Sequence, residues 1–214
     1  MPSQRFSKTS MSILLAYLAI VIGLELLRSL TNLPIVATLA ASPLALAHGD
    51  WWRLITSAFI IDGYALPQVV MTATLGALII WFRGSWLFWG ISVAGHVLGT
   101  LLTYLGVLLI GLNRHQLHHF LETPDYGISL IWSSALGVVA AAAWLGPTSN
   151  FRAPFRPLVV CGVFALMMVI IFLSHGDDAL QHAIAFAVGA VLVVTLDRDH
   201  SVSQQPVLRH ERAA

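Results

Sequence analysis

The sequence predicts an all-α fold, a polytopic membrane bundle of about six transmembrane helices, because its apolar residues fall into that many runs of spanning length. The 214 residues are 57% hydrophobic and 10% charged, with a mean hydropathy of +0.82. An ordinary soluble domain carries about 25% charged residues, and a soluble fold of this size cannot hide so much apolar surface. The runs cover residues 11–30, 65–82, 86–111, 127–146, 157–174 and 179–196, each near the roughly 20 residues that cross about 30 Å of hydrocarbon. The basic residues then divide unevenly. With the N-terminus inside, Arg5, Lys8, Arg83, Arg152, Arg156, Arg198, Arg209 and Arg212 fall on the cytoplasmic side, against Arg28, Arg53 and Arg114 outside. That asymmetry follows the positive-inside rule and sets both termini in the cytoplasm, with the plasma membrane as the expected location.

The chain divides into a cytoplasmic N-terminus over residues 1–10, a membrane domain over 11–196, and a polar tail over 197–214 expected to be disordered and cytoplasmic. The first apolar run follows Arg5 and Lys8 as a signal peptide would, but it exceeds the 7 to 15 residue apolar core of such peptides and reads as a retained span. Within it, Glu25 and Arg28 are three apart and can pair along one helix face. Residues 31–64 are too apolar for an aqueous loop. Trp51 and Trp52 are the kind of residue that settles at the membrane–water boundary, so this segment is expected to lie in or on the outer leaflet. Arg83, Gly84 and Ser85 leave room only for a tight hairpin between the second and third spans. Gly146-Pro147 and the prolines at 154 and 157 separate the fourth from the fifth. Cys161 sits in an apolar run and is expected to be a buried, inert thiol.

Polar side chains inside spans are costly and often mark function. Ser129 lies near the outer end of the fourth span, about one helical turn in at 1.5 Å per residue. His182 lies at matching depth in the sixth, just below Asp177-Asp178. Ser129, Ser133 and Gly137 recur every four residues on one span, while His182, Ala185 and Gly189 line a face of the other. Small residues at that spacing let helix backbones approach in lipid. A serine beside a histidine permits nucleophilic catalysis: the imidazole takes the hydroxyl proton as the oxygen attacks a carbonyl. Free N–H groups in the first turn of the fourth helix can serve the oxyanion. The bland alternative is a serine bonded back to its own helix and a satisfied interior histidine. Asp178, four residues before His182, can orient the imidazole, or Asp177 and Asp178 can simply cap the helix.

These residues, in this order, give a chain that resembles the rhomboid intramembrane serine proteases over roughly residues 48–196. The family's Gly-x-Ser, with a glycine eight residues after the serine, is matched by Gly127-Ile128-Ser129 and Gly137. Its sixth-helix histidine, small residue and glycine are matched by His182, Ala185 and Gly189, and its first-loop Trp-Arg pair by Trp52-Arg53. The resemblance implies a six-helix rhomboid-like bundle with Ser129 as nucleophile and His182 as general base, cleaving membrane proteins near the extracytoplasmic side. The partners it implies are a transmembrane or membrane-anchored protein substrate and the lipid bilayer; no cofactor, metal or nucleic acid is expected.

The departures from the family pattern point to a second reading, a catalytically inactive pseudoprotease that binds transmembrane segments. The glycine expected after the serine is Leu130, and the aromatic residue expected beneath the histidine falls at Ser133. The second-helix His-x-x-x-Asn that serves the oxyanion has no match beyond Tyr64 and Gln68, which share only its spacing. Two further classes rest on other histidines. His115, His118 and His119, with Glu122, Asp125, His175 or Asp177, suit zinc by residue type, but their spacing reads as a solvated loop. His96 in the third span suggests a proton path, or more simply a histidine bonded to a nearby carbonyl.

Overall fold

The computed structural model describes residues 8–61, 63–110, 113–145, 155–173 and 177–203, with side chains described up to residue 196 apart from Arg114 and Asp177. Arg5, Arg152, Arg209, Arg212, His175 and the Gly146-Pro147 break lie outside the described residues, and Arg198 is described in its backbone alone. Five helices are long and apolar enough to cross a membrane: α1 (Lys8–Leu30), α5 (Ala65–Arg83), α6 (Ser85–Ile110), α9 (Arg156–Leu173) and α10 (Asp177–Ser203), the last through Asp178–Leu196. A sixth apolar helix, α8 (Ile128–Trp144), has 17 residues. Four short helices complete the order, α2 (Ile35–Leu39), α3 (Pro43–Ala47), α4 (Arg53–Thr56) and α7 (Arg114–Glu122), with a 3-10 turn at Ser57–Phe59. Among the described residues there is no strand, only an antiparallel bridge between Ala41 and Asp125. The chain is an all-α polytopic membrane bundle.

The organisation follows from which helices face lipid. α8 is buried almost without interruption from Ile128 to Ala143, and at 1.5 Å per residue its 17 residues reach about 26 Å. A helix apolar on every side and buried on every side is the centre of the bundle; α5, α6, α9 and α10 all pack on it. In contrast, α9 buries only Val163 and Met167 and turns Phe164, Met168 and Phe172 outward. Cys161 lies on that exposed side, so it is not the buried thiol its apolar neighbours suggested. In a membrane, an apolar run is as well satisfied by lipid as by protein.

Small residues set the helix spacing. A Cβ on Gly137 of α8 would strike the Phe186 carbonyl of α10, and a Cβ on Gly189 of α10 would strike the Ser134 carbonyl of α8. The two glycines thus form a reciprocal crossing at backbone contact. Ala185, read from sequence as part of that face, instead meets Gly99 of α6, where an added Cβ would lie 3.5 Å from its own. At the α5–α6 hairpin, Gly84 has φ +92°, and its N–H donates to the Ile79 and Ile80 carbonyls, closing the end of α5. A side-chain-bearing residue adopts that φ only under strain.

The segment between α1 and α5 keeps its apolar surface outward, with Trp51, Trp52 and Ile55 exposed. Arg53 staples it: Nη1 donates to the Ala37 carbonyl at 2.6 Å, Nη2 pairs with Asp50 at 3.0 Å, and the guanidinium lies over the Trp52 ring. Tyr17 ties α1 to the same segment, its hydroxyl donating to the Ala58 carbonyl at 2.6 Å. The Glu25–Arg28 pair forms, at 2.7 and 2.8 Å. At the other end, α10 continues as helix to Ser203, past the residue 197 boundary at which a disordered tail was expected.

Candidate active site

Ser129 is the second residue of α8, one position beyond a start set by Gly127. Glycine is needed there because a Cβ would lie 2.6 Å from Ala58 Cα and would also strike the His96 ring. The Gly127 N–H donates to the Ser57 carbonyl at 2.9 Å, which fixes the entry into α8. Ser129 is half-buried, and its hydroxyl donates to the Tyr126 carbonyl at 3.3 Å. That is the local bond a serine near a helix start makes by default. It is long for an O–H···O bond and easily exchanged. The Ile128 and Ser129 amides belong to the first turn of α8, where N–H groups have no partner within the helix.

His182 is 9% exposed on the second turn of α10. Its ring stacks on Trp132 of α8, with centroids 5.3 Å apart and planes 24° from parallel. Trp132 stands three residues, just under one turn, after Ser129, so the stack sets the imidazole against α8 within about one turn of the serine. The imidazole also donates to the backbone carbonyl of Asp178. A neutral imidazole that donates from one nitrogen is an acceptor at the other. Orientation by Asp178 therefore comes from its main chain.

Two departures from the rhomboid pattern have structural answers. At Ser133, where the resemblance implies an aromatic beneath the histidine, the side chain is buried, and His182 stacks instead on Trp132, one residue earlier. Leu130 is fully buried and runs toward α6, where Gly99 makes room: a Cβ there would touch Leu130 Cδ1 at 3.6 Å. Its bulk is thus accommodated at the helix interface. The second-helix departure has no such answer, since Tyr64 is 86% exposed just ahead of α5. Gln68, one turn later, is half-buried.

Among the described residues, the serine–histidine hydrogen bond is a different one, between Ser57 Oγ and His96 Nε2 at 3.1 Å. It is unsuited to nucleophilic catalysis. Ser57 is 0% exposed, beyond the reach of any substrate. His96 Nε2 also lies 2.7 Å from the Leu54 carbonyl, which only accepts, so that nitrogen carries a proton and cannot take one from Ser57. The sequence reading of His96 as an interior histidine bonded to a carbonyl holds. Its role is to pin the residue 54–57 turn to α6.

Among the described residues, the loop histidines pair locally and do not gather into a shared site. His118 pairs with Glu122 at 3.4 Å on the exposed side of α7, and His119 Nδ1 meets the Thr123 hydroxyl at 3.2 Å. Asp125 turns away into the bundle, where Oδ2 accepts from Thr100 Oγ1 at 2.8 Å and Tyr104 Oη at 3.2 Å. Among the described residues no group of three potential ligands gathers. Sequence reasoning missed both Trp132 and the inward turn of Asp125. The available signal was an acidic residue three positions ahead of an apolar helix, which reads equally as a solvated cap. No protein-family profile matches this chain, and no curated protein matches it.

Proposed function

We propose that this chain is a rhomboid-like intramembrane serine endopeptidase, with Ser129 as nucleophile and His182 as general base. The observation that carries the reading is the stacking of His182 on Trp132, about one turn from Ser129 along α8, beside a glycine-packed α8–α10 crossing. In the proposed reaction the Ser129 hydroxyl leaves Tyr126 and attacks a peptide carbonyl while His182 takes its proton. The Ile128 and Ser129 amides stabilise the oxyanion, and His182 returns the proton to the departing amine. Water then releases the acyl chain by the same steps in reverse order. The basic-residue asymmetry supports a topology with both termini in the cytoplasm and this end of α8 on the extracytoplasmic side, with the plasma membrane as the expected location. The substrate is then a transmembrane or membrane-anchored protein cut near that surface.

The test is labelling of the purified full-length protein by a fluorophosphonate, with cleavage of a membrane substrate in liposomes. Ser129→Ala and His182→Ala should each abolish both signals. Labelling that survives Ser129→Ala would reject the nucleophile. The second reading, an inactive pseudoprotease that binds transmembrane segments, is favoured by the exposed Tyr64 where a second-helix oxyanion donor is wanted. Loss of one such donor slows hydrolysis about a hundred to a thousandfold. Binding of a transmembrane peptide without labelling or cleavage, unchanged by Ser129→Ala, is the outcome that supports it.

A further inference from the structure

Asp125 is a buried acid that the proposed reaction does not use. It is 6% exposed, four residues ahead of Ser129. Its N–H donates to the Ala41 carbonyl at 2.7 Å, joining the membrane-surface segment to the approach to α8. Its carboxyl accepts from Thr100 and Tyr104 of α6 and bonds the side chain of Gln181 on α10. Gln181 directly precedes His182, and it too is buried. One carboxyl therefore joins α6, α10 and the chain entering α8 at the level of Ser129 and His182. A carboxyl is a costly group to bury for packing alone, whereas its two oxygens suit the joining of several donors from different helices.

We propose that Asp125 is the positioning residue of this site, holding Gln181 against α6 and thereby setting where His182 stands relative to Ser129. This rests on the Ser129–His182 reading above. Among the described residues, the titratable groups acting on Asp125 are His96 and Tyr104, both on α6; from α10 it meets the amide of Gln181, and from the surface segment the Ala41 carbonyl. Asparagine preserves the arrangement, because its oxygen accepts the two hydroxyls and the Gln181 amide can turn to accept from its NH2.

Two measurements on the full-length protein test this. The first is the rate of fluorophosphonate labelling across pH. Asp125→Ala and Gln181→Leu should slow it about tenfold or more, while Asp125→Asn stays near wild type and removes the fall that follows ionisation of the Asp125 carboxyl as pH rises. The second does not depend on catalysis: with Cys161→Ser, oxidative cross-linking of Ser129→Cys to His182→Cys reports their approach. Adding Asp125→Ala should cut the cross-linking yield several-fold, and adding Asp125→Asn should not. Unchanged cross-linking in the folded Asp125→Ala protein, or equal losses for alanine and asparagine, overturns the positioning role. Efficient cross-linking that depends on Asp125, with labelling indifferent to Ser129→Ala, overturns the catalytic reading alone.

Discussion

At the scale of single residues, hydrogen-bond inventory decides what the Ser57–His96 pair can do. Ser57 meets an imidazole whose near proton already goes to the Leu54 carbonyl, and it is sealed from solvent. Ser57→Ala should cost about 1 kcal/mol of stability and leave fluorophosphonate labelling untouched; lost labelling with an intact fold would move the nucleophile there. Trp132 acts by its face. Trp132→Phe should keep most of the labelling rate, and Trp132→Ala should lower it about tenfold, a split that labelling kinetics will show. Asp125 carries a pH signature. Burial pushes its carboxyl above the ordinary carboxylate range, outweighing the attraction of His96 and the bonds from Thr100, Tyr104 and Gln181. The fold therefore holds the neutral acid better. That stabilisation is complete below the usual carboxylate pKa and is lost as pH rises through the raised one. The wild-type unfolding temperature should fall over that rise and the Asp125→Asn temperature should not, as thermal melts across pH would show.

At the scale of helices, the legible part of the site was its spacing. Gly127, Gly137 and Gly189 stand out because backbone approach in lipid calls for missing side chains, and the structure puts a carbonyl or a ring where each Cβ would go. Gly189→Ala should therefore destabilise the protein by about 1–3 kcal/mol, the usual cost of overpacking, with Gly23→Ala, which meets nothing, as the neutral control. Equal unfolding temperatures for the two variants would contradict the crossing. Rotation about the helix axis was less legible. The rhomboid resemblance implies an aromatic at Ser133, but His182 stacks on Trp132, one residue and about 100° away at 3.6 residues per turn. Ala185 likewise meets α6. Asp125 was illegible for another reason: its burial comes from Ala41, Thr100 and Gln181, distant in the chain, and local pattern carries no trace of them.

At the scale of the whole molecule, orientation decides what kind of substrate the site can meet. Five helices are long and apolar enough to span and α8, shorter, is enclosed by its neighbours; if α8 also crosses, as proposed, the chain returns to the side on which it began. In the orientation proposed above, that side is the cytoplasm. Lys8 and Phe155 then belong to one membrane face, Tyr64 and His118 to the other, and each of the four is exposed. Single cysteines at these positions, introduced with Cys161→Ser, can be tested with a membrane-impermeant maleimide on intact cells. Tyr64→Cys and His118→Cys should react, while Lys8→Cys and Phe155→Cys should react only after permeabilisation. The reverse pattern would open the Ser129 end of α8 to the cytoplasm and change the substrate class. Reaction of all four from outside would break the six-span arrangement that brings the starts of α8 and α10 to one level, and with it the geometric basis of the site.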